Sequence, residues 1–346
     1  MDLIQQLSRE LNLRQPQVEA AVRLLDEGNT IPFIARYRKE MTDSLDDAAL
    51  RDLSDRLEYL RGLQKRREEV IRSITEQEKL TPELEAAILA AKTLAEVEDL
   101  YRPYKPKRRT RGSIAREKGL EPLAAAIRAQ NSPCEPLSMA EGYLDAEKGV
   151  TTAEDALAGA VDIIAEDISD DGEIRKALRL LIRRSAVVIA TGDSEENTTY
   201  KMYYDYKEPV GRIAPHRVLA LNRGEKEGFL KTAIVLEEEK ALEVIRSKTV
   251  TAGNACGRTV AEAGADSWKR LIAPSMENET FRELFETASE QAIKVFAENL
   301  HHLLMQPPLT GHVVLGWDPG YRNGCKLAVV DATGRVLDTA VVYPTQ

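Results

Sequence analysis

Cysteine is nearly missing. Cys134, Cys256 and Cys325 are the three in 346 residues; they are widely separated, odd in number and show no Cys-x-x-Cys spacing, which excludes a disulfide framework and a zinc knuckle. Histidine is equally scarce at four. His301 and His302 are adjacent on a predicted helix, so they point to different faces and do not form a ligand pair. No apolar run is long enough to span a bilayer. The opening MDLIQQLSRELNL is amphipathic, with charges of both signs, and lacks the basic start and apolar core of a signal peptide. A cytoplasmic location away from membranes is therefore the expectation. There is no internal repeat at solenoid spacing and no low-complexity linker, and neither a metal nor a cofactor is expected.

The chain does have enough apolar residues, 43%, and enough length for two or three domains with real cores. Its net charge of -9 discourages nucleic-acid binding until its distribution is considered. Between Glu135 and Glu173 lie twelve acids and one base, Lys148, a local charge of -11, so the rest of the chain carries +2. Two basic clusters flank this block. Tyr101 to Arg111 carries six Lys or Arg and no acid, and Arg175 to Arg184 carries five. Such asymmetry implies at least one anion-facing patch.

Helical periodicity dominates the first half. Val18, Ala21, Val22 and Leu25 recur at helical spacing ahead of a stop at Gly28. A long helix follows Ser44, with Leu50, Leu53, Leu57, Leu60 and Leu63 leading to Ile71 and Ile74. Thr81-Pro82 is a start signal, and Thr93-x-x-Glu96 and Thr151-x-x-Glu154 match the reciprocal capping box. After Arg184 the character changes: Ala186 to Ala190, Thr199 to Tyr206 and Phe229 to Leu236 read as strands. Helices resume around Thr249 to Arg270. A last helix from about Glu279 to Leu304 places Phe281, Leu284, Ala288, Ala292, Val295, Phe296, Leu300 and Leu303 on one stripe. From Val313 onward a three-stranded meander is expected, and a sheet that small needs further elements to cover it. The expectation is that the fold encoded here is incomplete.

The strongest chemical signal in the body of the chain is Tyr101-Arg-Pro-Tyr-Lys-Pro-Lys-Arg-Arg-Thr-Arg111. Prolines hold it extended; its cations can neutralise phosphates and its tyrosines can stack on unpaired bases. The candidate nucleic-acid contacts are Lys105, Lys107, Arg108, Arg109 and Arg111. An alternative stands beside this reading, in which the arginines pair with the acidic helices and the tyrosines pack inward. The Arg175 to Arg184 cluster lies on a helix with Ala177, Leu178, Leu181 and Ile182 on its buried side, and its arginines are expected as a solvated face and interdomain salt-bridge donors rather than as a recognition helix. A helix-turn-helix could lie in the helical body, with no signal to choose its recognition helix. Gly316-Trp-Asp-Pro-Gly320 sets Asp318 at the end of a strand, where RNase H-like nucleases hold a metal. Asp331, beside Thr333-Gly334, reads as a turn former, and Asp338 as solvent-facing. One carboxylate is not a two-metal site, so no catalytic or metal residue is assigned.

These segments carry a resemblance. IPFIARYRKEMT (31–42), LRDLSDRLEYLRGLQKRREEVIRSITEQEKLT (50–81), EDLYRPYKPKRRTRGSIAREKGLEPLA (98–124), HRVLALNRGEKEG (216–228) and VLGWDPGYRNGCKLAVVD (314–331) closely resemble the bacterial Tex family of RNA-binding transcription accessory proteins, over almost the whole chain and in order. The resemblance implies helix-turn-helix-like parts, a YqgF-type RNase H-like domain regarded as lacking a complete nuclease site, helix-hairpin-helix motifs and a terminal OB-fold. It also implies kinship with a eukaryotic elongation factor. Ending at Gln346, the chain would lack the last two parts, and nucleic-acid binding would be weak. The expected architecture is mainly α. It comprises a helical domain over 1–185, a small mixed α/β module with a long helix over 186–306, and the first strands of a truncated RNase H-like α/β domain over 307–346. The expected function is non-catalytic binding of RNA or DNA in transcription. A metal-dependent nuclease or resolvase, or a scaffold that docks on the transcription machinery, are the alternatives.

Overall fold

The computed structural model describes residues 3–105, 109–192, 199–307, 309–320 and 322–343. Its first third is helical: α1 (Leu3–Leu11), α2 (Gln15–Asp26), α3 (Ile31–Tyr37), α4 (Asp47–Thr75), α5 (Pro82–Ala90) and α6 (Leu94–Tyr101). α4 is the spine, because its leucines recur at three and four residues and so keep one stripe facing inward over eight turns. Leu50, Leu53, Leu57 and Leu60 meet Leu7, Val18, Leu24 and Ile34 in one core. Farther along, Leu63, Val70 and Ile74 meet Ile88, Val97 and Tyr101 in a second. Each such leucine, fully buried, contributes roughly 1.5–3 kcal/mol. Gly28 follows α2 at φ +82, the left-handed conformation that ends a helix at least cost in glycine.

The capping signals are realised with small shifts. Thr81 Oγ1 accepts from the Leu84 amide at 3.2 Å and Thr93 Oγ1 from the Glu96 amide at 3.2 Å. The Glu96 carboxylate, however, accepts from the Lys92 amide at 2.6 Å, one residue before the position a reciprocal box requires. The cap of the acidic helix is Thr152, which accepts from the Asp155 amide, while Thr151 donates to the Asp155 side chain. The pattern Thr-Thr-x-Glu-Asp is ambiguous by one residue, and the structure takes the later choice.

The remaining helices are α7 (Arg111–Glu117), α8 (Glu121–Ala129), α9 (Pro136–Ala140), α10 (Ala153–Asp170), α11 (Gly172–Ser185), α12 (Pro215–Lys226), α13 (Glu238–Thr249), α14 (Ala255–Ser267) and α15 (Ala273–Leu304). A π-helical turn, Trp268–Ile272, joins the last two. The final helix therefore begins before Glu279. The strands are β1 (Val187–Gly192), β2 (Asp205–Pro209), β3 (Leu230–Val235), β4 (Val314–Asp318), β5 (Cys325–Val330) and β6 (Val336–Val342), in two sheets ordered β2-β1-β3 and β4-β5-β6. The strand expected over Thr199 to Tyr206 begins only at Asp205, since Lys201–Tyr203 forms a 3-10 turn. The fold is mainly α with two small sheets, as the pattern implied.

Two compact units can be distinguished. One comprises residues 1–190, 205–212 and 233–280, the other 191–204, 213–232 and 281–346. Within the first, α10 buries Ala156, Ala160, Ile163, Ile164 and Ile168 and packs against α7, α8, α9 and α14. α13, a five-residue connection and α14 have a helix-turn-helix layout. α14 buries Cys256, Val260 and Ala263, so one face is committed to the core. The connection is held by Gln130, whose side chain accepts from the amides of Thr251 and Ala252 and donates to the Thr249 carbonyl.

Within the second unit, Tyr200 stacks on Phe229 with centroids 5.8 Å apart and donates to Glu227 at 2.9 Å. β4-β5-β6 is the expected antiparallel meander. Every residue of β6 is exposed. The stripe expected to be buried along α15 ends early: Ala288 is buried, whereas Val295, Phe296, Leu300 and Leu303 are exposed.

The largest departure from expectation concerns α11. Arg175 is fully buried and Arg179 is mostly so, not on a solvated face. Asp99 of α6 accepts from Arg179 at 2.5 and 2.8 Å and faces Arg175 at 3.6 Å. Glu279 of α15 binds both arginines, and Ser275 accepts from Arg175 at 3.0 Å. Burial alone raises the carboxyl of Glu279, but the hydrogen bond and charge of Arg179, with the charge of Arg175, outweigh it and hold the group below its ordinary range.

Removing one partner leaves a buried, unpaired charge, which costs about 3–5 kcal/mol. Asp99→Ala is therefore expected to lower unfolding free energy by about 3 kcal/mol in urea titrations. Arg51→Ala, which breaks only the exposed Arg51–Asp47 pair, should change it by less than about 1 kcal/mol. Because the Glu279 pKa is depressed in the fold, its contribution should be complete above the unfolded value near 4.3 and fade as pH falls below it.

Candidate nucleic-acid interface

The basic segment leaves α6 along the second core. Tyr101 is buried, with its hydroxyl 2.9 Å from Ser73 Oγ and the Arg66 guanidinium 5.4 Å over its ring. The Gln77 side chain donates to the Tyr104 carbonyl at 2.9 Å, and Tyr104 packs half-buried against the same core. Both tyrosines thus face inward and are not stacking platforms. Lys107 and Arg108 lie outside the described residues. Lys105, Arg109 and Arg111 are all exposed. Arg109 meets Glu117 at 3.3 Å in an exposed pair, which solvent screening makes weak.

The acidic block is engaged by other cations. Glu166 is buried, accepts from the Gly112 amide at 3.2 Å and pairs with Arg116 at 3.2 Å. A Cβ at Gly112 would fall 2.5 Å from the Glu166 carboxyl carbon, so any larger residue would displace that carboxylate from the amide. Asp167 binds Arg116 at 2.7 Å and Arg128 at 3.1 Å. Asp162 binds Arg270 at 2.9 Å. Burial raises the carboxyls of Asp162 and Asp167, opposed mainly by Arg270 for the first and Arg116 for the second. Arg111 lies near enough to Asp162 to favour its charged form. The alternative reading holds for the tyrosines, while the arginines that engage these three acids are Arg116, Arg128 and Arg270.

The carboxylates of the terminal sheet do not converge. Asp318 ends β4 opposite Lys326 of β5, whereas Asp331 follows the other end of β5, about 17 Å away at 3.4 Å per residue. Asp331 accepts from the Thr333 hydroxyl and from the Thr333 and Arg335 amides. These bonds hold its carboxyl below the ordinary range and make it the expected turn former. Asp338 sits on β6 opposite Val329 and is exposed. Among the described residues no group of three acids, histidines or cysteines is placed to hold a metal ion.

Three family models match in order: the Tex-like protein N-terminal domain over residues 1–75, the Tex central region-like model over 131–296 and the Tex protein YqgF-like domain over 312–346. The chain belongs to the Tex family. It is 47% identical over 351 residues to the Bacillus subtilis (strain 168) protein YdcI, covering 99% of this chain and 48% of that protein. It is 42% identical over 355 residues to the transcriptional accessory protein Tex of Neisseria gonorrhoeae, covering 99% and 46%. With human S1 RNA-binding domain-containing protein 1 it shares 31% identity over 360 residues, 99% and 36%. The chain spans about half the length of the first of these relatives. No helix among the described residues is long and apolar enough to cross a membrane.

Arg116 and Arg109 both pair with a carboxylate but differ in what they leave behind. Arg116→Ala strands the buried Glu166 carboxylate and should cost about 3 kcal/mol, seen as a lowered melting temperature. Arg109→Ala, at an exposed pair, should leave the melting curve nearly unchanged.

Proposed function

We propose that this Tex-family chain is a non-catalytic accessory of transcription that binds nucleic acid, with the described cations Lys105, Arg109 and Arg111 contacting phosphates beside Lys107 and Arg108. The observation that carries this reading is the sorting of charge. Arg116 and Arg270, which hold the central acids of the block, are partly buried, while the loop cations remain exposed and, apart from the weak Arg109–Glu117 pair, have no carboxylate within salt-bridge distance among the described residues. Cations so placed neutralise phosphates irrespective of sequence and release counterions on binding. The names of the relatives, a transcriptional accessory protein and an S1 RNA-binding domain-containing protein, support the same class of partner, RNA or DNA within the transcription machinery.

Binding should be non-specific, in roughly the micromolar range or weaker at physiological salt. The combined variant Lys105→Ala, Arg109→Ala, Arg111→Ala should bind single-stranded RNA more weakly. Its plot of log affinity against log salt should be flatter by about two, with an unchanged melting temperature. An unchanged slope would remove the loop from the interface.

The non-catalytic part of the reading rests on the separation of Asp318, Asp331 and Asp338, because two-metal phosphoryl chemistry needs metals about 4 Å apart and carboxylates converging on both. Incubation with magnesium or manganese and single-stranded RNA, duplex DNA or four-way junctions should give no cleavage. Cleavage abolished by Asp318→Asn would establish the nuclease alternative instead.

A further inference from the structure

The segment from Ile31 to Ser44 holds an aromatic ring in water on a tightly braced turn. Phe33 and Tyr37, one turn apart on α3, lie with ring centroids 5.3 Å apart at 45°. The Arg38 guanidinium covers Phe33 at 5.2 Å. Tyr37 remains 63% exposed, and it is the one aromatic among the strongly exposed large apolar side chains of the first unit's described residues. Arg36 and Lys39 flank it, exposed and with no carboxylate partner among the described residues.

The turn behind this surface is fixed. Thr42 is fully buried, and its hydroxyl lies 3.5 and 3.4 Å from the carbonyls of Arg38 and Lys39. Gln17 donates to the Asp43 carbonyl at 3.2 Å, and Arg14 pairs with the Asp43 carboxylate. Asp43 and Ser44 both adopt left-handed backbone, at φ 50 and 62. That conformation is uncommon for one non-glycine residue and persists where the surroundings enforce it. A ring presented on so constrained a support loses little conformational freedom when something lies against it.

We propose that this turn is a second contact site for single-stranded nucleic acid, with one base stacked on the free face of Tyr37 and the adjoining phosphates neutralised by Arg36 and Lys39. Every base has a π-face, so stacking is tolerant of sequence, and two unpaired cations beside one ring favour a polyanion over an apolar peptide. Arg38 is occupied by Phe33 and acts by orienting the pair. Duplex bases are already stacked on one another and do not reach the ring. The inference rests on the reading that the chain binds nucleic acid, but not on the loop at residues 105–111.

The test is fluorescence anisotropy of the whole chain with a labelled twelve-nucleotide oligouridylate and with a duplex of equal length. Tyr37→Ala should weaken single-strand binding about ten-fold, the lower part of the range for loss of one stacked base, and leave duplex binding unchanged. Tyr37→Phe should bind as the wild type. Arg36→Ala with Lys39→Ala should flatten the single-strand salt slope by about 1.4. Unchanged single-strand binding by Tyr37→Ala, while the loop variant loses affinity, would overturn this site and leave the loop reading intact. Equal losses on single strand and duplex would also overturn it, as would a Tyr37→Ala defect confined to capture of a purified RNA polymerase with no effect on the oligonucleotide. Absence of binding by the wild type to either nucleic acid would overturn both readings.

Discussion

A guanidinium sealed from water cannot discard its charge, and Arg175 is one. Its position obliges the protein to bring carboxylates to it. Asp99 on α6 and Glu279 on α15, 180 residues apart in sequence, therefore meet at α11. Arg179 shares the same two acids, so each carboxylate faces two cations, and their hydrogen bonds and charge offset much of the desolvation that burial imposes. An apolar replacement of the whole cluster could be as stable. What the charges add is directional: a methyl group packs in many orientations, whereas the fork of Arg179 can donate both its bonds to Asp99 in few.

The same logic governs the acidic block. A local charge of -11 would oppose folding if it stayed together, and the structure pairs the acids that it buries or half-buries at the centre of α10. Glu166 and Asp167 take Arg116, with Arg128 completing Asp167, and Asp162 takes Arg270. Glu166 also receives the Gly112 amide at the first turn of α7, where a carboxylate is favoured by the unsatisfied backbone donors. Glu166, Asp167 and Asp162 are in this sense structural anions, used within the body.

Helices were legible because their signals are local. Periodic leucines on α4 and the threonine caps are readable within a few residues, and the errors there are slips of one position, as at Thr151 and Thr152. Burial of Arg175 was not legible, since the clue lies in partners far along the chain and an arginine on a helix looks solvated by default. The exposed half of the α15 stripe failed for a related reason: periodicity says that residues share a face, not that anything covers it. At the basic segment, composition marks the cations as a cluster but cannot say that Tyr101 and Tyr104 turn inward, because that depends on Ser73, in the last turn of α4, and Gln77, just beyond it, 28 and 27 residues earlier in the chain. Tyr37, the ring that does face water, carries no local cue that separates it from a packed aromatic.

Net charge is thus a poor guide to what this protein can bind. Screening limits charge interactions at physiological salt to about 8 Å, so a phosphate approaching Lys105 or Arg111 responds to the few charges around it and not to the total of -9. Pairing also shortens the reach of the acids further, because Glu166 and Asp167 with Arg116 and Arg128 present almost no net field to solvent. A chain that is acidic overall can therefore carry local anion-binding surfaces, provided that the acids nearest them are paired and the spare cations lie more than a screening length from the rest.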